Sequence, residues 1–236
     1  MAITASAAVA LLAAPPDAAP VASPPASQAA PADLAATVRT IENGCFAAYP
    51  QELLTRMSGK PGPPPEAVRL DPRLQMKYLM TEEKAQKGLF YPSLLEDLLP
   101  AFVAEVKPDR RFLDLGSGDG RVVFLAAVLG AEARGVEFDG AVHAIAREAL
   151  RRLQGVVPEK RADLRRGDFF HEDPKRFDVL FYFGSGSYTE TELMRWLARG
   201  MRRDAILLLA HVPNDPDGFE PIAEYGVVRS YRRLKD

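Results

Sequence analysis

The chain has 236 residues, 47% of them apolar, and its 30 Lys+Arg and 32 Asp+Glu leave a net charge of −2 with a pI near 6.0. That balance gives no support for a protein that binds nucleic acid by bulk electrostatics, and the single cysteine, Cys45, excludes a disulfide scaffold. The histidines, His143, His171 and His211, are scattered, so no Cys/His cluster has metal-site spacing.

Ala and Pro supply 20 of the first 32 residues, and no Lys or Arg precedes Arg39. Ala7 to Ala14 (AAVALLAA) is too short to span a bilayer, which needs about 20 apolar residues. It has the length of a signal-peptide h-region, with Ala13-Ala14 or Ala18 as small residues for cleavage, but the charged n-region is missing. Residues 1–32 therefore read as a disordered Ala/Pro leader or a misplaced start, with an export signal over residues 1–20 as the alternative. The remaining chain, about 200 residues, suits one domain with an N-terminal extension.

Residues 33–90 form that extension. Leu34 to Ser58 is helical in parts, through Leu34, Val38, Ile41 and then Leu53, Leu54 and Met57. Gly59 to Pro65 (GKPGPPP) is a loop. Arg73 to Lys87 carries Leu74, Met76, Tyr78, Leu79 and Met80 in a charged background and reads as a helix on the domain or near its site. The main domain, 91–236, starts at Tyr91-Pro92-Ser93, which opens a helix with Leu94, Leu95, Leu98, Leu99, Phe102 and Val103 on its apolar face. Pro100 is expected to kink or split it, and Pro108 to end it.

Phe112 to Ala127 (FLDLGSGDGRVVFLAA) organises the rest. An apolar strand runs into Gly116-Ser117-Gly118-Asp119-Gly120, and a helical pattern follows through Val122, Val123, Leu125 and Ala126. Strand, glycine turn and helix begin a nucleotide-binding βαβ unit, with free N–H groups at the helix start. The dinucleotide fingerprint G-x-G-x-x-G is not met, because Arg121 stands where the third glycine belongs. Asp114, two residues before the first glycine, suits a cation better than a diphosphate. Ala133 to Glu137 is a second strand, and the Glu137 carboxylate can accept two ribose hydroxyls.

Ala141 to Leu153 is a helix with Val142, Ile145, Ala149 and Leu153 inward; its arginines form a solvated face. Ala162 to Gly167 is strand three, running into Asp168-Phe169-Phe170. Arg176 to Phe183 is strand four, apolar on both faces as a buried parallel strand should be, and it ends in Gly184-Ser185-Gly186-Ser187-Tyr188. Thr191 to Gly200 is a helix, Ala205 to Ala210 strand five, and Pro221 to Leu234 a terminal hairpin around Tyr225-Gly226. The order describes an α/β, doubly wound, Rossmann-like sheet of seven strands.

The stretch D-L-G-S-G-D-G resembles motif I of the class I S-adenosylmethionine-dependent methyltransferases, and the resemblance covers Tyr91 to Leu234. It implies that fold, with an antiparallel last strand, and S-adenosyl-L-methionine as cofactor. It assigns cofactor binding to Asp114, Gly116, Ser117, Gly118, Gly120, Glu137, Phe138, Asp168 and Phe169. In the family the motif I acid lies near the methionine end, the second-strand acid holds the ribose, and the "G-D" acid after strand three meets the adenine amino group. Because that cofactor is made in the cytosol, the resemblance implies a cytoplasmic protein unless residues 1–20 act as a signal.

"D-L-G-S-G-D-G-R-V-V" followed by "G-V-E-F-D", with "Y-P-S" upstream, is similar to the protein-lysine methyltransferases of the ATP synthase c-subunit type and, more distantly, to the non-SET histone lysine methyltransferases. This implies a protein partner, methylated on a lysine amino group, and no nucleic acid; a small molecule or RNA is the alternative substrate. The strand-four loop matches no substrate motif of these families, and it is not the Asn/Asp-Pro-Pro-Tyr signature of nucleobase- or glutamine-modifying enzymes. Tyr188 and His211 are the catalytic candidates; Tyr91 and Tyr182 are further candidate site-liners. Phe169, Phe183, Tyr188 and the helix carrying Tyr78 are expected to wall an apolar pocket that lowers a lysine pKa by desolvation. Arg161, Arg165, Arg166 and the Arg229–Arg233 segment could form a local basic patch. A nicotinamide-dependent oxidoreductase, disfavoured by Asp114 and Arg121, and a non-catalytic module with a decayed site are the rival classes.

Overall fold

Five short runs of strand length, those at 179–183 and 206–210 apolar at every position as central strands covered on both faces are, make up the first five strands. In the computed structural model, which describes residues 32–60, 62–79, 92–184, 189–212 and 214–234, they form the parallel part of one sheet. The strands are β1 (Arg111–Leu115), β2 (Glu132–Glu137), β3 (Ala162–Arg166), β4 (Val179–Phe183), β5 (Ile206–Ala210), β6 (Phe219–Tyr225) and β7 (Val228–Arg233). Their order is β3-β2-β1-β4-β5-β7-β6. β7 is antiparallel to β5 and to β6, so the terminal hairpin inserts its second strand beside β5.

Side chains alternate across the sheet. Phe112 and Phe181 face one core, while Leu113, Leu180 and Tyr182 face the other. On the first face lie α5 (Leu95–Glu105), α6 (Arg121–Val128) and α7 (Gly140–Arg152), with Phe102 of α5 set between the rings of Phe112 and Phe181, each 5.5 Å away. The second core packs against α8 (Thr189–Gly200).

The N-terminal extension contains α1 (Ala32–Ala47), α2 (Gln51–Ser58), α3 (Glu66–Leu70) and α4 (Pro72–Leu79). Val38, Ile41, Cys45, Phe46 and Tyr49 recur at helical spacing, and all join the first core. They lay α1 over α6 and α7, so the extension shares the core of the sheet.

Two expectations are corrected, and one element is new. Pro100 does not split its helix: α5 runs through it, with Pro100 on the exposed side, and ends at Glu105, before Pro108. The short helix α3 stands just after the expected Gly59–Pro65 loop and was not anticipated. Arg161, Arg165 and Arg166 cannot join Arg229–Arg233 in one patch, because β3 is the sheet edge and β2, β1, β4 and β5 separate it from β7. Five strand spacings are roughly 24 Å. Arg161 and Arg165 are moreover paired, with Asp109 and with Asp163 and Glu172.

The leader, the second half of the expected Arg73–Lys87 helix, Tyr91 and Tyr188 lie outside the described residues, as do the contacts of Tyr78. Among the described residues no helix is long and apolar enough to cross a membrane, and no group of His, Cys, Asp and Glu is placed to hold a metal ion.

Candidate functional site

The strand order reverses between the parallel neighbours β1 and β4, and in such sheets ligands bind at the switch point, beyond the carboxyl ends of the strands. β1 enters it through Gly116, Gly118 and Gly120, all at positive φ (84°, 54° and 84°). A side chain on Gly116 would be strained by its backbone, yet would meet nothing within 4 Å. At Gly116 the turn therefore presents bare backbone to open space, whereas a Cβ on Gly120 would meet the Phe124 ring at 2.8 Å. It is fastened from below: the N–H groups of Gly116 and Ser117 both donate to the Val136 carbonyl at 3.0 Å. Gly135 of β2 makes this closeness possible, since a Cβ there would lie 2.5 Å from the Ser117 side chain.

Asp114 is the unusual group. Its side chain is buried, with only 3% of the residue exposed, and Oδ2 has no hydrogen-bond partner. Burial raises its pKa well above 3.8, and the carboxylates of Glu137 and Asp119 push the same way. Buried acceptors without a partner are rare in folded proteins, and among the described residues the other is Gln75 Oε1 in the N-terminal extension.

Glu137 ends β2. One carboxylate oxygen accepts the Gly118 N–H at 2.9 Å and the other accepts the Asp139 N–H at 2.7 Å, which sets the side chain against the glycine turn. Each oxygen keeps accepting capacity. Phe138 follows and is 78% exposed, a large apolar ring without cover. Asp139 caps α7 by accepting from the N–H groups of Ala141 and Val142. Past β3, Asp168 accepts the Phe170 N–H at 2.9 Å, and the half-buried Phe169 packs against Phe170 and Trp196. Asp114, Gly116, Ser117, Gly118, Gly120, Glu137 and Phe138 thus gather at the ends of β1 and β2, with Asp168 and Phe169 at the next strand end.

His211 lies just past β5 in the left-handed region, at φ 57°, uncommon for a residue with a side chain. Its ring stands 4.9 Å from that of Phe183, and Gly184 beside it has no room for a Cβ. Tyr182 is buried in the second core, so its part is packing. Tyr188 and Tyr91 lie outside the described residues.

The sequence reading missed a buried polar network under the glycine turn. Arg121, 4% exposed, grips Asp119 through Nε and Nη2 (2.7 Å at the shortest) and donates from Nη1 to the Ser93 carbonyl. Burial works against its charge, but Asp119 outweighs burial and raises its pKa. The Tyr49 hydroxyl donates to Asp119 Oδ2 at 3.1 Å, and the Cys45 thiol lies 3.8 Å from the Asp119 carbonyl oxygen. Glu42 accepts the Leu95 N–H at 2.8 Å; burial pushes its pKa up to about 7, against the pull of that N–H and of Arg121. One signal was available: Glu42 is a charged residue inside the apolar stripe of α1, where charge survives only with partners. Arg121 occupies the third fingerprint position because its guanidinium is a buried strut.

No protein-family model matches the chain, and no curated protein matches it by sequence. Solved structures do match. MtNAS in complex with MTA and tNA is 18% identical over 83% of this chain and 86% of its own, with a TM-score of 0.51. A single-site mutant of MtNAS in complex with S-adenosylmethionine is 16% identical over 86% and 93%, with a TM-score of 0.50. An RNA methyltransferase from Salinibacter ruber in complex with S-adenosyl-L-homocysteine is 22% identical over 65% and 91%, with a TM-score of 0.43. The strand order and the antiparallel final pair match the class I methyltransferase fold, and this chain has that fold.

Proposed function

We propose that the chain is an S-adenosylmethionine-dependent methyltransferase. The observation that carries the reading is Asp114: a buried carboxylate oxygen without a partner, in the strand beneath a glycine turn open to a ligand. A cationic ligand gives that oxygen its missing partner, whereas a diphosphate would be repelled by it, so the nicotinamide reading is disfavoured. The cofactor supplies a sulfonium methyl group that a nucleophile takes in an in-line displacement.

Asp114 would hold the ammonium end of the cofactor, the Gly116–Gly120 backbone would lie against its middle, and Glu137 would accept from the ribose hydroxyls. Phe138 offers an uncovered apolar face for the adenine ring, and Asp168 an acceptor for its amino group. The donors and acceptors are already oriented by the backbone bonds at Glu137 and Asp168, and such preorganisation reduces the ordering cost of binding. In this reading the chain contributes proximity and orientation to the displacement.

The acceptor we propose is a protein amino group, most simply lysine. The flanks of the glycine turn resemble the lysine-modifying families, and the sequence after β4 lacks the nucleobase-amine signature. His211, held in an unusual backbone conformation at the end of β5, is the described candidate for moving the amine proton. Calorimetric titration with S-adenosylmethionine and, separately, with NADH tests the cofactor; binding of NADH alone would end the reading. Incubation with methyl-labelled cofactor and a cell lysate tests the acceptor. Label that becomes soluble on protease treatment supports a protein acceptor, which methyl-lysine in a hydrolysate of the labelled protein narrows to lysine, and label that resists protease but yields to ribonuclease moves the substrate to RNA.

A further inference from the structure

The buried network joins three segments far apart in sequence. From α1 come Glu42 and Cys45, with Tyr49 just beyond its end; from the start of α5, the Ser93 carbonyl and the Leu95 N–H; and from the glycine turn, Asp119 and Arg121. Each tie is a directed bond between buried groups. Tyr49 donates to the same carboxylate oxygen that receives the shortest Arg121 bond. The Asp119 side chain also accepts the Arg121 N–H at 3.3 Å, which fixes the first turn of α6. Between Gly118 and Gly120, Asp119 is the one residue whose side chain can hold the turn from inside the protein, while Glu137 holds Gly118 from the other side. A glycine-rich turn has the highest conformational entropy to lose, so it needs such external fixing.

We infer that the N-terminal extension is part of the cofactor site, with Tyr49 as a positioning residue that acts through Asp119 on the glycine turn. The inference rests on the proposed cofactor. Tyr49 touches the turn from below and need not touch the ligand. Its phenol ring is buried, so Tyr49→Phe removes the hydroxyl and leaves the packing of the ring in place.

Tyr225 gives a matched control. Its hydroxyl donates to the Glu105 carboxylate at 2.8 Å, a bond of the same kind between β6 and α5, away from the turn. Two measurements on the full-length chain decide the matter. By hydrogen exchange without ligand, the amides of Gly118, Gly120 and Arg121 exchange faster in Tyr49→Phe than in wild type, and in Tyr225→Phe they do not. In turnover assays, KM for S-adenosylmethionine rises roughly 10-fold in Tyr49→Phe while kcat is kept, the size of effect seen when an outer partner of a binding group is removed. Tyr225→Phe leaves KM unchanged. Equal exchange in the two variants overturns the inference whatever the cofactor proves to be. An unchanged KM in Tyr49→Phe also overturns it. A wild type that binds no S-adenosylmethionine overturns the functional reading instead, and the exchange comparison still judges the network.

Discussion

Replacing Asp114 by Asn should improve the empty protein and harm the loaded one. The side chain keeps its shape but loses its charge. In the wild type, burial, aided by Glu137 and Asp119, raises the folded-state pKa of Asp114 well above 3.8. A group raised in this way contributes stability that is present below its unfolded pKa and is lost as pH rises through the folded value. The wild type therefore loses stability on the alkaline side that Asp114→Asn keeps, and the gap between the two proteins widens with pH. Near pH 8 the variant should be more stable by about 1–3 kcal/mol, because its amide, equally short of a partner, carries no charge to desolvate. With cofactor the sign reverses. A charge-assisted hydrogen bond worth about 1.5–3 kcal/mol is lost, which weakens binding roughly 10- to 150-fold. Urea denaturation from pH 5 to 8 without ligand, with calorimetric titration of S-adenosylmethionine at pH 8, reads both halves. A variant that is less stable at pH 8, or that binds as tightly as wild type, would refute the reasoning.

Glu137→Ala should weaken cofactor binding by about 2–3 kcal/mol and, because Gly118 and Asp139 lose their acceptor, also lower the melting temperature of the empty protein; unchanged affinity in calorimetry would contradict the ribose assignment. Glu42→Gln should flatten the pH dependence of stability. The wild-type pKa moves from 4.5 to about 7 on folding, so a contribution on the order of 3 kcal/mol is full below about pH 4.5 and lost as pH rises through about 7; denaturation curves at pH 5 and pH 8 compare the two proteins, and identical slopes count against it. Gly135→Ala should cost about 1–3 kcal/mol, since the new Cβ meets Ser117 and Val123 at 2.5 Å; a wild-type midpoint in urea would show that the strand can shift freely. Removing Met1 to Ala32 should leave folding and cofactor binding intact, because that segment has little patterned apolar surface; loss of the cooperative melt would contradict this.

The fold was legible because its signals are local. Apolar runs of strand length, glycine punctuation and helical periodicity each depend on neighbours a few residues apart, and their order placed the strands and the carboxyl-end site. The acids and glycines of the candidate site are local features too: Asp114, Gly116, Gly118 and Glu137 lie at fixed offsets from strand ends, and the motif resemblance attaches to those offsets. The expected split at Pro100 failed because propensity is a weak prior, and the buried Leu95, Leu98, Leu99 and Phe102 hold the helix together across it. What only the tertiary structure decided are the long-range partners. Tyr49 and Asp119 are 70 residues apart, and Leu95 and Glu42 are 53. Arg121 reads in sequence as a missing glycine and in the structure as a buried strut to Ser93. The lack of a partner at Asp114 Oδ2 is likewise invisible in sequence, because satisfaction depends on every segment that packs against it. Sequence specifies which groups stand at the strand ends; packing across the whole chain determines which of them are paired and which are left for a ligand.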